Sequence, residues 1–273
     1  MSDVLEIGLD VGTGSVKVVS NEKSLNFPSI YAYRNPNKWE KKSDCIIDVG
    51  KSALLMKSHP DAVVIRPVSE GQPIHQQGFG ELVKFAVESI TKDASFSNLI
   101  IVVGLPYNAD LKQRASLRSF VQDITGAQRV SVLPQALGTL RNVKRKDGIV
   151  VSIGQGTTEI VVFKDEKPVL GNSVPQATDF LTQSYGEFAH LDHKIFENKA
   201  VKAKVDQLAD IISNRITLFQ GQLDDEFPII LSGGAMKIPG MHRSLKKRIN
   251  ATLIIPDDPV MSNALGLFDI ASE

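Results

Sequence analysis

The sequence predicts an α/β protein built as two related lobes, and three observations carry that prediction. A glycine- and hydroxyl-rich stretch, Gly8-Leu9-Asp10-Val11-Gly12-Thr13-Gly14-Ser15-Val16-Lys17, lies between apolar runs at 4–7 and 16–19. A second, Ser152-Ile153-Gly154-Gln155-Gly156-Thr157-Thr158-Glu159, lies between runs at 149–151 and 160–163. After each, strand and helix patterns follow in the same order, as expected when one α/β unit occurs twice. Each stretch reads as strand, tight turn, strand, with backbone N–H groups and hydroxyls at the tip. Such a tip can wrap a phosphate, because glycine lets the backbone approach closely. Two of them in matching positions point to a nucleotide held from both sides.

The elements follow in order. Behind the first hairpin, an irregular polar stretch around Tyr33-Arg34-Asn35-Pro36 is broken by short apolar runs at 45–49 and 63–67. Leu82, Phe85, Ala86 and Ile90 recur near helical spacing within 79–90. The continuous apolar run 99–103 suits a strand buried on both faces. Residues 109–124 form an amphipathic helix, 130–133 a strand, and 134–140 a helix with Pro134 in its first turn. The charged segment 142–148 is a solvated connection between halves. The second half gives a hairpin over 149–170, helices over 177–196 and 199–220, and a strand at 228–231. Ser232-Gly233-Gly234-Ala235-Met236 follows, then a helix at 239–249, a strand at 252–255 and a last helix at 263–270.

Composition narrows the function classes. With 42% hydrophobic and 23% charged residues over 273 positions, a sizeable core is expected and global disorder is not. Basic and acidic residues balance at 31 each, so no direct nucleic-acid partner is predicted. The single cysteine, Cys45, leaves no internal disulfide and no cysteine metal cluster, which fits a reducing compartment. No transmembrane segment and no signal peptide are expected, so the sequence reads as cytoplasmic.

Taken in order, five segments resemble the actin / sugar kinase / heat-shock chaperone ATPase superfamily, and within it the prokaryotic and archaeal actin-like proteins. Residues 10–15 are similar to its first phosphate loop and 133–138 (Leu133-Pro134-Gln135-Ala136-Leu137-Gly138) to its first connecting helix. Residues 153–159 are similar to its second phosphate loop and 231–236, with Pro239-Gly240-Met241, to its adenosine loop. Residues 262–267 are similar to its second connecting helix. Leu25-Asn26-Phe27-Pro28-Ser29, Val49-Gly50 and Ile65-Arg66-Pro67-Val68-Ser69-Glu70-Gly71 resemble the shape-determining actin MreB. The Pro134-Gln135 pair stands where the plasmid-segregating actin ParM has Pro-Glu.

The resemblance implies a ribonuclease H-like fold in two lobes with a nucleotide cleft between them. Residues 1–143 would form the first, with an outer insertion at about 21–75, and 144–273 the second, with a reduced outer subdomain at about 178–205. It implies ATP and Mg2+ as cofactors, slow hydrolysis, and self-association into filaments; a non-polymerising nucleotide switch or assembly factor is the alternative.

Asp10 would hold Mg2+ through water, as that ion favours oxygen ligands and keeps much of its hydration. Gly12, Thr13, Gly14 and Ser15 would donate to the β- and γ-phosphates, and Lys17 would neutralise them. Gly154, Gln155, Gly156, Thr157 and Thr158 would close on the γ-phosphate. Gly233, Gly234 and Ala235 would let backbone pack on adenine, with Met236 over its face. Gln135 would orient the attacking water, which is much of what phosphoryl transfer requires. The second loop departs from the family in having Ser152 where an Asp usually stands, which implies slow hydrolysis or binding without much turnover. With Thr158 facing inward, strand alternation turns Glu159 outward as a structural surface residue. His190 and His193, three apart, read as surface residues, like His59, His75 and His242. Trp39, among lysines, is not assigned a site.

Overall fold

Apolar runs flanked by glycine turns become the central strands of two sheets. The computed structural model describes residues 4–34, 46–91, 98–224 and 226–273; Trp39 and Cys45 lie outside them. The first half runs β1 (Leu5–Val11), β2 (Ser15–Val19), β3 (Ser24–Pro28), β4 (Tyr31–Arg34), β5 (Ile46–Val49), α1 (Gly50–Leu55), β6 (Ala62–Ile65), β7 (Val68–Ser69), β8 (Gln72–Pro73), α2 (Gln76–Thr91), β9 (Leu99–Leu105), α3 (Leu111–Thr125), β10 (Arg129–Pro134) and α4 (Gln135–Asn142). The second runs β11 (Gly148–Ile153), β12 (Thr158–Lys164), β13 (Lys167–Val174), α5 (Asp179–Thr182), α6 (Lys199–Gln220), β14 (Ile229–Ser232), α7 (Met241–Lys246), β15 (Leu253–Ile254) and α8 (Ser262–Ala271).

Strand order is β10-β9-β1-β2-β3 in one sheet and β13-β12-β11-β14-β15 in the other. Each contains an antiparallel three-stranded meander whose first strand also pairs in parallel with a later strand of the same half. Parallel neighbours need crossover connections, and helices supply them: α3 between β9 and β10, α7 between β14 and β15. The two halves therefore share one topology. A smaller sheet, β5-β4-β6, forms the outer part of the first half.

One face of the first sheet packs Ile7, Leu9 and Val103 on Leu82, Val83 and Val87 of α2 and on Leu117 and Val121 of α3. One face of the second packs Ile149, Val151 and Leu231 on Leu208, Ile212 and Ile216 of α6. The remaining faces are covered by exchanged helices. Ala136 and Leu140 of α4 pack on Val150, Val161 and Ile230 of the second sheet, and Leu267 and Ala271 of α8 pack on Val102 of the first. Helices α4 and α8 also pack on each other. The joint between the lobes is thus a crossing of two helices, set directly behind the two hairpin tips.

The sequence expectation differs from the structure at 177–196. Only α5 and single turns of 3-10 helix form there. Gly186, at φ 115°, interrupts any continuous helix. The long α6 instead carries the apolar stripe, with Val201, Val205, Leu208, Ile212 and Ile216 buried. Among the described residues, no helix is long and apolar enough to cross a membrane.

Candidate functional site

The antiparallel register of β1 and β2 places Asp10 opposite Lys17, and the lysine Nζ lies 3.1 Å from Asp10 Oδ2. Asp10 is buried, at 3% exposure, so the ion pair offsets much of the cost of desolvating its charge. Asn263 of α8 approaches the same oxygen, its Nδ2 3.5 Å away. Asn263 Oδ1 in turn accepts from Thr139 of α4 at 2.7 Å, so the helix crossing is tied to the first hairpin. Ser29 secures the tip: its backbone N–H donates to Gly14 O (3.1 Å) and its hydroxyl to Gly12 O (2.6 Å). Gly12 N–H closes the turn onto Ser15 O at 3.1 Å. Asn263 and Ser29 join the site through these hydrogen bonds, which sequence reasoning does not reach.

The second tip closes in the same way, with Gly154 N–H donating to Thr157 O at 2.9 Å. The two tips then meet. A Cβ added at Gly14 would stand 2.0 Å from Gln155 Oε1, and one at Gly156 would stand 2.8 Å from Thr13 Oγ1. Glycine is needed at both for the loops to come this close. The Thr13, Gly14, Gln155, Gly156 and Thr157 N–H groups have no hydrogen-bond partner among the described residues. They form two facing sets of donors beside the Asp10–Lys17 pair. Ser15 and Lys17 are both partly exposed on β2.

Other predicted residues are placed differently. Thr158 is fully buried and its hydroxyl donates to Gln176 O at 2.6 Å, so that proton serves its own lobe. Gly233, at φ 91°, abuts Ile153, while the Cα of Gly234 faces open space. Ala235 is wholly buried in the second core, so it can offer only backbone to a ligand, and Met236 packs at that core's edge. Gln135 begins α4 and is partly exposed.

The reading of Glu159 as an outward surface residue is overturned. It is 1% exposed and lies opposite Ser152 in the β11–β12 register. Cross-strand partners share a face, and this face looks toward α4. Alternation is obeyed; the cleft side of the strand is the one Glu159 occupies. Tyr107 N–H donates to its Oε1, while Oε2 has no hydrogen-bond partner. Burial raises its pKa from 4.5 to about 7, opposed by the Tyr107 bond and the Gln135 amide, reinforced by Asp10 and opposed again by Arg114.

His190 is likewise no free surface residue. Gln155 Nε2 donates both its hydrogens, to Asp179 Oδ1 at 2.9 Å and toward His190 Nδ1 at 2.8 Å. Arg66, from the first half's outer part, pairs with Asp179 at 3.0 Å and Glu187 at 3.6 Å. Phe188 and Leu191 pack on the first half's Ile30, Ala32 and Met56. The outer parts therefore close over the tips, linked to them through Gln155. Among the described residues no cluster of His, Cys, Asp and Glu suits a metal.

This contact is expected to be acid-labile. Burial and the Arg66 charge lower the His190 pKa from 6.5 to about 4, against the pull of Asp179. Below 6.5 the unfolded chain binds the proton and the folded one resists it, so the contribution is present above 6.5 and lost as pH falls toward 4. Protonation at Nδ1 would also set a donor against the Gln155 donor. Amide hydrogen exchange across 183–197, corrected for intrinsic rates, should show easier opening at pH 5 than at pH 7. Equal protection at both values would refute this.

Compared with known proteins, residues 4–217 match the family model described as MreB/Mbl protein. The chain is similar to the cell shape-determining protein Mbl of Bacillus cereus, 27% identical over 184 residues, covering 64% of this chain and 53% of that protein. It is similar to Mbl of Bacillus subtilis at 24% over 199 residues, covering 70% and 58%. The chain thus spans only a little over half the length of these curated relatives. Its fold is similar to a MamK double helical filament, with TM-score 0.81, 18% identity and 99% of each chain covered. It is also similar to MreB 5 of Spiroplasma citri bound to AMPPNP, with TM-score 0.74, 17% identity and 97% and 95% covered. With two glycine-tipped hairpins facing each other beside a helix crossing, and a family match over most of its length, the chain belongs to the MreB/Mbl family of actin-like proteins.

Proposed function

We propose that this protein binds ATP with Mg2+ between its two lobes, hydrolyses it slowly and assembles into cytoskeletal filaments. The observation that carries the reading is the pair of facing tips with five unpartnered N–H groups beside Asp10 and Lys17. Unpaired backbone donors next to a fixed cation suit a polyphosphate, since anions bind where oriented N–H groups converge. The residues fit: Gly12, Thr13, Gly14 and Ser15 on one side and Gly154, Gln155, Gly156 and Thr157 on the other face the phosphates. Asp10 would hold Mg2+ through water. The orphaned Glu159 Oε2 and Ser232 Oγ, both buried, are polar atoms in want of partners near the same end of the second sheet. Mg2+ supplies charge neutralisation at the phosphates; the protein supplies position. Gly234, open beside the tightly packed Gly233, would offer a backbone edge for adenine, and Gln135 would orient the attacking water.

Support for filaments comes from relatives: MamK was solved as a double helical filament, and MreB 5 bound to AMPPNP. A head-to-tail contact that does not close on itself propagates as a filament. Ser152, neutral and buried where the family carries an Asp, favours the second reading, a nucleotide switch that turns over little and does not polymerise. Light scattering and pelleting with ATP, ADP and AMPPNP, with phosphate release alongside, separate the two. ATP-dependent sedimentation with slow release is the expected result; tight ATP binding with no sedimentable species at high protein concentration would favour the switch. Asp10→Asn should weaken ATP binding in Mg2+ about tenfold or more, a scale typical of losing a charge-assisted contact. The loss should shrink in excess EDTA; an equal loss with and without Mg2+ would remove Asp10 from the metal.

A further inference from the structure

One long stretch of the chain carries charge of a single sign. Residues 227–256 hold five lysines and arginines and no aspartate or glutamate, in a protein whose charges balance at 31 each. Two of the five are neutralised: Arg248 by Asp206 and Asp210 of α6, and Lys237 by Asp258. Arg243, Lys246 and Lys247 are exposed and have no ion pair among the described residues. A cluster of uncompensated cations on one face attracts an anionic partner.

The cluster borders the open edge of the second sheet. Met241, Leu245 and Ile249 anchor α7 and the turn after it in the core, and β15 is the outermost strand. Between helix and strand lies a concavity of about 590 Å³. Ile249, Leu253 and Ile255 line it with apolar surface, and the exposed His242, Lys246 and Asn250 stand around them. The outer side of the strand is unpaired. Thr252 C=O accepts from Ile229 N–H at 2.9 Å, so by alternation residues 251, 253 and 255 aim their backbone groups away from β14. The N–H and C=O groups of Ala251 and Ile255 have no hydrogen-bond partner among the described residues. The opposite edge, β13, is blunted: Pro168 lacks an N–H, and a Cβ at Gly171 would stand 2.6 Å from the Tyr107 ring. No proline interrupts 241–255, and an unprotected edge is a template for another strand.

We propose that the β15 edge docks a short extended segment of a partner protein, acidic at its ends and apolar at its centre, as an added strand. Its main chain pairs with Ala251, Leu253 and Ile255, which supplies most of the affinity in strand addition. Its apolar side chains cover Ile249 and Leu253, and its carboxylates meet Lys246, with Arg243 and Lys247 steering the approach. A nucleic acid would satisfy the cations but leave both the apolar surface and the open backbone groups unused. The place is separate from the candidate nucleotide cleft. Strand β14 runs toward the tips, reaching Gly233 against Ile153, and β15 runs parallel to it. The concavity, lined from Asn250 and Ala251 onward, therefore starts at the end of the sheet away from the tips.

The probe is a fluorescein-labelled peptide, Glu-Glu-Leu-Val-Leu-Glu-Glu, titrated with the full chain in the absence of nucleotide and followed by anisotropy. Three further probes run alongside: the peptide with lysine for each glutamate, the peptide N-methylated at its three central residues, and a labelled oligothymidylate of equal charge. The expected result is saturable binding of the acidic peptide with Kd below about 1 mM, weakening as salt is raised. N-methylation, which removes the main-chain donors, should weaken it about tenfold or more, and the lysine peptide should not bind. Lys246→Glu, at an exposed position, should also weaken it about tenfold with the unfolding midpoint unchanged. No saturable binding, or equal binding by the N-methylated peptide, would overturn strand addition. Tighter binding of the oligothymidylate would overturn it in favour of a nucleic acid. None of these outcomes bears on the ATPase reading, because no nucleotide is present.

Discussion

Gly266→Ala is expected to lower the unfolding temperature by about 6–12 °C, at about 2–4 °C per kcal/mol, for a loss of roughly 3 kcal/mol. Helices α4 and α8 cross with their backbones in contact. A Cβ at 266 would stand 1.8 Å from the Gly138 carbonyl oxygen, and one at 138 would stand 2.1 Å from the Asn263 oxygen. Both obstacles are main chain inside helices, so neither can swing aside as a side chain would. Alanine is the better helix former by up to about 1 kcal/mol, which opposes the clash but does not match it. The crossing also fixes Thr139, which holds Asn263 against Asp10. ATP affinity should therefore fall along with stability. Gly221→Ala, where an added Cβ meets nothing closer than 3.5 Å, is the control and should leave the midpoint within about 2 °C. Thermal unfolding followed by circular dichroism reads both. A Gly266→Ala midpoint equal to wild type would mean that the helices can move apart at no cost to stability.

Much of the fold was legible because its signals are local. Runs such as 99–103 and 149–151 are rich in β-branched residues with a glycine at one end, and they became β9 and β11. The stripe from Val201 to Ile216 has helical period and became α6. The two tips were legible for the same reason, since their glycines and hydroxyls are consecutive. What was not legible depends on long-range register. Alternation states that Thr158 and Glu159 face opposite sides, yet not which side is the cleft; that is decided by α4 packing on Val150 and Val161. Arg66 and Asp179 pair across 113 positions, and no local pattern foretells it. The stretch 177–196 looked helical by composition, but its apolar residues Phe188 and Leu191 are drawn to the opposite lobe instead. The site was thus readable as a list of residues and unreadable as a set of contacts.

Glu159→Gln, in the absence of nucleotide, is expected to stabilise the protein at pH 8 and to have little effect at pH 5. The folded carboxyl titrates near 7 and the unfolded one near 4.5, so between those values the folded state holds a proton that the unfolded state has released. Stability then falls as pH rises from 4.5, and the full penalty is present above 7. A difference of this size corresponds to roughly 3 kcal/mol at the upper limit. The neutral amide never incurs it, and it still accepts from Tyr107 N–H. The difference in unfolding midpoint between variant and wild type should therefore open with increasing pH, with its half-point between 5 and 7. A pH-independent difference would mean that Glu159 is ionised throughout, with its charge compensated in the fold.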